Sequence, residues 1–234
     1  MTTAGADRRA VIRDSLGVGI ATGLYGTSFG AVAVGSGLSV AQTCALSLVM
    51  FTGASQFALV GVLAAGGTPL ASALTALLLG SRNTLYGLRV GPLLGWRGGR
   101  RLAAAQLLID ESTAMSLNRP DRSLARVGFL ATGLSIFVLW NLFTLLGAVA
   151  GEALGDPETY GLDAAVGAAF LALLWPRLSD SVNRVVALAA AVLALALVPV
   201  TAAGVPVLAA GGVALLVGLL SKHVDPTELP EARR

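Results

Sequence analysis

Three charged residues and one polar tetrapeptide interrupt long apolar stretches of this chain, and they are where chemistry can be done. Arg82 stands between Ser81 and Asn83 in LLLGSRNTLYGLRV. An arginine near mid-membrane costs about 2.5–3.5 kcal/mol on insertion scales, so it normally pairs with a carboxylate or backbone carbonyls inside the protein. The plainer alternative is a span that ends early and lets Arg82 snorkel to the interface. Candidate partners lie in RRLAAAQLLIDESTAMSLNR, where Asp110 and Glu111 follow one another. Neighbouring residues on a helix point about 100° apart. The two acids therefore differ in role: one is placed to pair with Arg82, the other to titrate or to order a helix start, as Asp-Glu-Ser does. Intramembrane carboxylates are the usual parts of proton relays. A polar loop between two short helices is the alternative for this segment.

The tetrapeptide is Gly53, Ala54, Ser55, Gln56, inside VAQTCALSLVMFTGASQFALVGVLAAG. A helix break here exposes the N-terminus of a half-helix near Ser55, whose free N–H groups and positive dipole end favour an anion. Discontinuous helices of transporters hold substrate carboxylates in this way. Gly53 and Ala54 alone are equally suited to close helix packing, but a buried Gln56 amide must find partners.

The elements that position these residues are membrane helices. Ser15 to Ser81 contains no Asp, Glu, Lys or Arg, and Val127 to Gly151 and Val185 to Ser221 are likewise uncharged. Only 12% of the residues are charged, where a soluble chain carries roughly 25%. Apolar segments fall at about 16–36, 40–65, 69–91, 102–117, 127–150, 161–176, 183–199 and 204–221. The expectation is an all-α, polytopic integral membrane bundle of six to eight transmembrane segments with broken or re-entrant helices. Residues 1–14 form a cytoplasmic N-terminal segment, 15–221 the transmembrane domain and 222–234 a cytoplasmic tail. The N-terminus reads as a retained first helix rather than a signal peptide.

Arginine placement orients the chain. Arg8, Arg9, Arg13, Arg119, Arg122, Arg126, Arg177 and Arg184 suit the cytoplasmic side, and the loop with Glu152, Asp156 and Glu158 suits the outside. If all eight segments cross, WRGGRR at 96–101 falls outside, against the rule. If 40–65 and 102–117 each enter and return on one side, it falls inside. Both arrangements keep the termini cytoplasmic.

The first segment, GVGIATGLYGTSFGAVAVG, has a glycine about every third or fourth position, which suits close packing or a break around Gly26 to Ser28. Trp140 with Asn141, and Trp175 with Pro176, read as interface aromatics and a helix end. One cysteine, Cys44, and one histidine, His223, leave no disulfide and no His or Cys metal cluster; no cofactor is expected. HExxH, GxSxG and P-loop patterns are absent, so the chain reads as a non-enzyme. A nucleic-acid partner is not expected, because the basic residues are juxtamembrane arginines rather than a patch.

The string Gly53, Ala54, Ser55, Gln56, Phe57 resembles the hallmark of the AzlC-type branched-chain amino-acid exporters. Arg82 with Leu85, Tyr86 and Gly87 resembles that family's arginine and aromatic motif, and Asp110 with Glu111 its acidic pair. Order and spacing agree over roughly residues 15–117. Departures fall at Leu24, Gly80 and Asn83, where the family commonly has Pro, Asn or Asp, and His or Tyr. The resemblance implies a proton-driven exporter of hydrophobic amino acids in a bacterial cytoplasmic membrane, working with a small AzlD-type membrane subunit. It places substrate binding on Gly53, Ala54, Ser55, Gln56, Asn83 and Tyr86, and proton coupling on Arg82, Asp110 and Glu111. A non-catalytic membrane subunit, an ABC-type permease component and a channel are the competing classes.

Overall fold

The computed structural model describes residues 3–119, 121–154, 171 and 174–220. Most of the apolar segment at 161–176 and the whole 222–234 tail lie outside these residues. Two compact units form, Met1–Phe170 and Leu171–Arg234. Among the described residues every regular element is helical.

The first unit is built around one long helix, and that helix serves as a ruler for the rest. Helices α1 (Thr3–Leu24) and α2 (Gly26–Gly35) are separated by a turn at Tyr25. Next come α3 (Val40–Val49), α4 (Ala54–Ala64), α5 (Pro69–Gly80), α6 (Arg82–Leu94), α7 (Gly99–Gln106), α8 (Asp110–Leu117) and α9 (Arg122–Leu154). Glycines 19, 23, 26 and 30 of α1 and α2 face Ser135, Leu139, Trp140 and Thr144 of α9 in rising order, so α1–α2 runs parallel to α9. The close-packing reading of the glycine-rich segment holds, since its glycines seat α9; the turn at Tyr25 keeps helical dihedrals (φ −65°, ψ −21°), so no break opens around Gly26 to Ser28. Residues 7–35 and 122–153 are long and apolar enough to span a membrane.

Contacts read along α9 show that two segments enter and return. Descending α3 brings Ser47 Oγ to Thr144 Oγ1 at 3.4 Å and then the Phe51 ring to Phe137 at 5.1 Å. After the break, α4 packs along α5, where a Cβ on Gly80 falls 3.2 Å from Ser55 Oγ. The α5–α6 helix, kinked at Ser81, continues to the arginine-rich end of the unit, where Arg126 Nε donates to the Leu94 carbonyl at 2.8 Å. Pro69 therefore lies at the opposite end, and α4 returns to the end from which α3 came.

The other segment mirrors this from the arginine-rich end. Trp96 packs on Phe129 at 5.9 Å, and Leu107 reaches Gly133. Then α8 turns back, bringing Met115 against Gly128 and Arg119 to within 4.0 Å of Asp14. WRGGRR thus shares an end with Arg13, Arg119, Arg122 and Arg126. Each arm has 8–11 residues, about 12–17 Å of helix, roughly half of a 30 Å hydrocarbon core.

Polarity is inverted relative to a soluble protein. Ser15, Thr43, Ser47, Ser55, Gln56, Ser112, Thr132 and Thr144 are buried, while Leu134, Val138, Leu142 and Val149 of α9 face outward. The second unit contains a 3-10 turn at Trp175–Ser179, α10 (Ser181–Leu197) and α11 (Val205–Leu220), which pack on each other. Asp180 caps α10 by accepting from the Asn183 N–H at 3.3 Å. Val185, Leu188 and Leu195 of α10 are outward-facing.

Candidate functional site

The break in the second segment spans residues 50–53 and is held open by two local devices. Gly53 has φ +63°, ψ −94°, a conformation in which a residue with a Cβ is strained. Gln56 folds its side chain back so that Oε1 accepts from the Gly53 N–H at 3.0 Å. Helix α4 starts at Ala54, with Ser55 and Gln56 both 0% exposed. Ser55 Oγ and Gln56 Nε2 are buried with no hydrogen-bond partner, and such groups are costly unless something pairs with them. Gly80 lets α5 approach Ser55 closely.

An aromatic cluster stands beside this helix start. Tyr25 lies 5.5 Å from Phe57 and 6.3 Å from Trp140, and Phe29 lies 5.4 Å from Phe57 between ring centroids. Trp140, 2% exposed, is a core residue rather than the interface aromatic its sequence context implied. The parallel docking of α1–α2 on α9, which no local pattern announces, carries it inward. Trp175 is 69% exposed.

The fourth segment breaks over residues 107–109 without a glycine. Ile109 is extended (φ −126°, ψ 175°), and Ser112 Oγ accepts from the Ile109 N–H at 3.1 Å while donating to the Leu107 carbonyl at 2.7 Å. Asp110 and Glu111 occupy the first turn of α8, where the helix dipole favours negative charge. Arg82 Nη1 meets Asp110 Oδ2 at 3.1 Å, so Arg82 is paired and α6 continues past it to Leu94. Glu111 forms no ion pair among the described residues. The two acids are thus held differently, with Asp110 alone in the ion pair.

One contact joins the two breaks and two more tie α6 to the fourth-segment break. Gln106 Nε2 donates to the Leu48 carbonyl at 2.8 Å, capping the end of α3. Asn83 Nδ2 donates to the Leu108 carbonyl at 3.1 Å. The Arg82–Asp110 pair is the third, and Ile109 joins the buried cluster of Phe29, Phe57 and Trp140. Gly53, Ala54, Ser55 and Gln56 therefore line one break, and Arg82, Asn83, Asp110 and Glu111 gather at the other. Tyr86 is half-buried four residues after Arg82, on the same face of α6. Sequence reasoning missed Gln106, although an amide within AAAQLLI is the same kind of signal that marked Gln56. It also missed Tyr25 and Phe29 as neighbours of the break.

Two interrupted segments meeting tip to tip, polar inside and apolar outside, define a polytopic α-helical membrane protein of the transporter type. The AzlC protein family profile matches residues 17–154, and the chain belongs to that family. It is 30% identical over 183 residues to the inner membrane protein YgaZ of Escherichia coli (strain K12), covering 74% of this chain and 72% of that protein. It is 26% identical over 164 residues to an uncharacterized membrane protein of Helicobacter pylori (strain ATCC 700392 / 26695), covering 68% and 71%. No solved structure matches it.

Proposed function

We propose that this protein exports branched-chain or other hydrophobic amino acids across the bacterial cytoplasmic membrane. In this reading the proton gradient drives export, and the chain is the large subunit beside a small AzlD-type membrane partner. The observation that carries the reading is the start of α4: unpaired Ser55 Oγ and Gln56 Nε2 at a buried helix N-terminus, flanked by Tyr25, Phe29, Phe57 and Trp140. A carboxylate suits the N-terminus, and an apolar side chain suits the rings. The arginine-rich end is cytoplasmic by the positive-inside rule. Asp110, fastened to Arg82, and Glu111 beside it carry the proton. Taking up a proton at Asp110 weakens its hold on Arg82 and frees α6 from α8.

The test is radiolabelled leucine uptake into inside-out vesicles, with and without an AzlD-type partner. The expected result is gradient-driven uptake that a protonophore abolishes, and that Asp110→Asn and Glu111→Gln lose at least tenfold. Saturable uptake indifferent to the protonophore, or full gradient-driven uptake in both amide variants, overturns the coupling. Dependence on added nucleotide and an ATPase assigns the chain to the permease class.

A further inference from the structure

A cavity of about 390 Å³ lies between α6 and α7 against α9, away from the start of α4. Asn83 lies at its deep end and Arg101 at its mouth, with Gly87, Gly91, Leu108 and Phe129 along the walls. Its volume is in the range of small-molecule sites. Asn83, Gly87 and Gly91 recur every four residues and so share one face of α6. With no side chains, the two glycines leave a trough along that face. A Cβ added at Gly91 meets nothing within 4 Å.

Both ends of the trough are polar, and this distinguishes it from a groove for an acyl chain. Asn83 spends its Nδ2 on the Leu108 carbonyl, which leaves Oδ1 buried and unpaired. The next residue back is Arg82, paired with Asp110. Arg101 is exposed and has no carboxylate partner among the described residues. A free guanidinium at the mouth attracts the carboxylate of an arriving molecule, and farther in an unpaired amide oxygen accepts from its ammonium, two successive contacts along a mostly apolar wall.

We propose that this trough is the cytoplasmic vestibule of the transport path, taking zwitterionic amino acids with apolar side chains and leading them to the Arg82–Asp110 seam. The inference rests on the export reading for its direction, but its test does not depend on transport. Gly91→Cys is made in a chain whose single cysteine has been removed (Cys44→Ala), with Leu85→Cys as a control, since Leu85 is 64% exposed and lies on α6 outside the trough. Purified protein is reconstituted with the arginine-rich end accessible. A membrane-impermeant maleimide should modify Cys at 91, and millimolar leucine or valine should slow that reaction at least threefold. The control should react only with a lipid-soluble maleimide.

Modification at 91 by the lipid-soluble reagent alone makes the trough a lipid-facing groove and overturns the proposal. So does modification that no apolar amino acid slows. Protection by leucine in a protein that fails to transport leucine supports the vestibule while refuting export of that substrate. Gly91→Leu, whose Cβ meets nothing within 4 Å and whose branched end occupies the trough, should abolish the protection that the same amino acid gives to a cysteine placed at Asn83.

Discussion

Gln56 has a structural duty that precedes any ligand. Its Oε1 is the acceptor for the half-buried Gly53 N–H, and without it that donor loses its partner. Gln56→Leu should therefore cost about 1–3 kcal/mol, seen as a fall of several degrees in the thermal midpoint of the detergent-solubilised protein. Gln56→Glu keeps the acceptor and should recover much of that loss. Equal midpoints for wild type and Gln56→Leu would show that the break closes without its cap. At this scale the sequence was legible wherever a polar residue stood out from apolar neighbours, as Arg82, Asp110, Glu111 and Gln56 do. It was not legible for Tyr25, Phe29 and Trp140, because aromatic residues in membrane sequence look alike whether they face lipid or core. Only the partner across the interface decides between them.

At the scale of elements, the glycines of the first segment determine how closely α1–α2 approaches α9. A Cβ on Gly30 would overlap the Thr144 carbonyl, and one on Gly147 would overlap the Thr27 carbonyl. Gly30→Val should force the pair apart and destabilise the unit by at least about 1–3 kcal/mol, as overpacking does. Gly17 meets nothing within 4 Å, so Gly17→Val should leave the midpoint within a degree or two. Comparable thermal midpoints for the two variants would contradict the packing described. The period of the glycines announced a close neighbour but not its identity, since α9 lies far along the chain. The second break was legible from Gly53. The fourth-segment break was legible only through its acids, because Leu107 and Leu108 carry no turn signal and the Ser112 cap is a single side chain acting at short range.

For the whole molecule, the decisive question is which end each loop occupies. WRGGRR lies with Arg122 and Arg126, and the Gly66 turn lies at the opposite end. In a cysteine-free background, Ala65→Cys should react with an impermeant maleimide added to the outer face of intact cells or spheroplasts. Arg97→Cys should react only after the cytoplasmic face is opened. The reverse pattern, Arg97→Cys labelled from outside and Ala65→Cys only once the cytoplasmic face is opened, would restore eight crossings and refute the re-entrant arrangement. The charge pattern alone admitted both arrangements, because moving two segments together changes the side of only one charged loop, the turn at Gly66 carrying no charge. The packing of α3 and α8 along α9 separates them.

The parallel pairing of α1–α2 with α9, the first and last described helices of this unit, has a consequence for how the protein is made. Ser15 and Thr132, whose hydroxyls are 2.9 Å apart, are separated by 117 positions in the chain. At about 5–20 residues per second of synthesis, the first helix waits roughly 6–23 s in the bilayer with its glycine face uncovered. The half-length arms of the re-entrant segments are too short to hold a transmembrane position alone, so they too must wait for α9 to arrive. A ribosome stalled before residue 122 would leave a nascent chain inserted but unassembled, a ready target for membrane proteases until translation resumes.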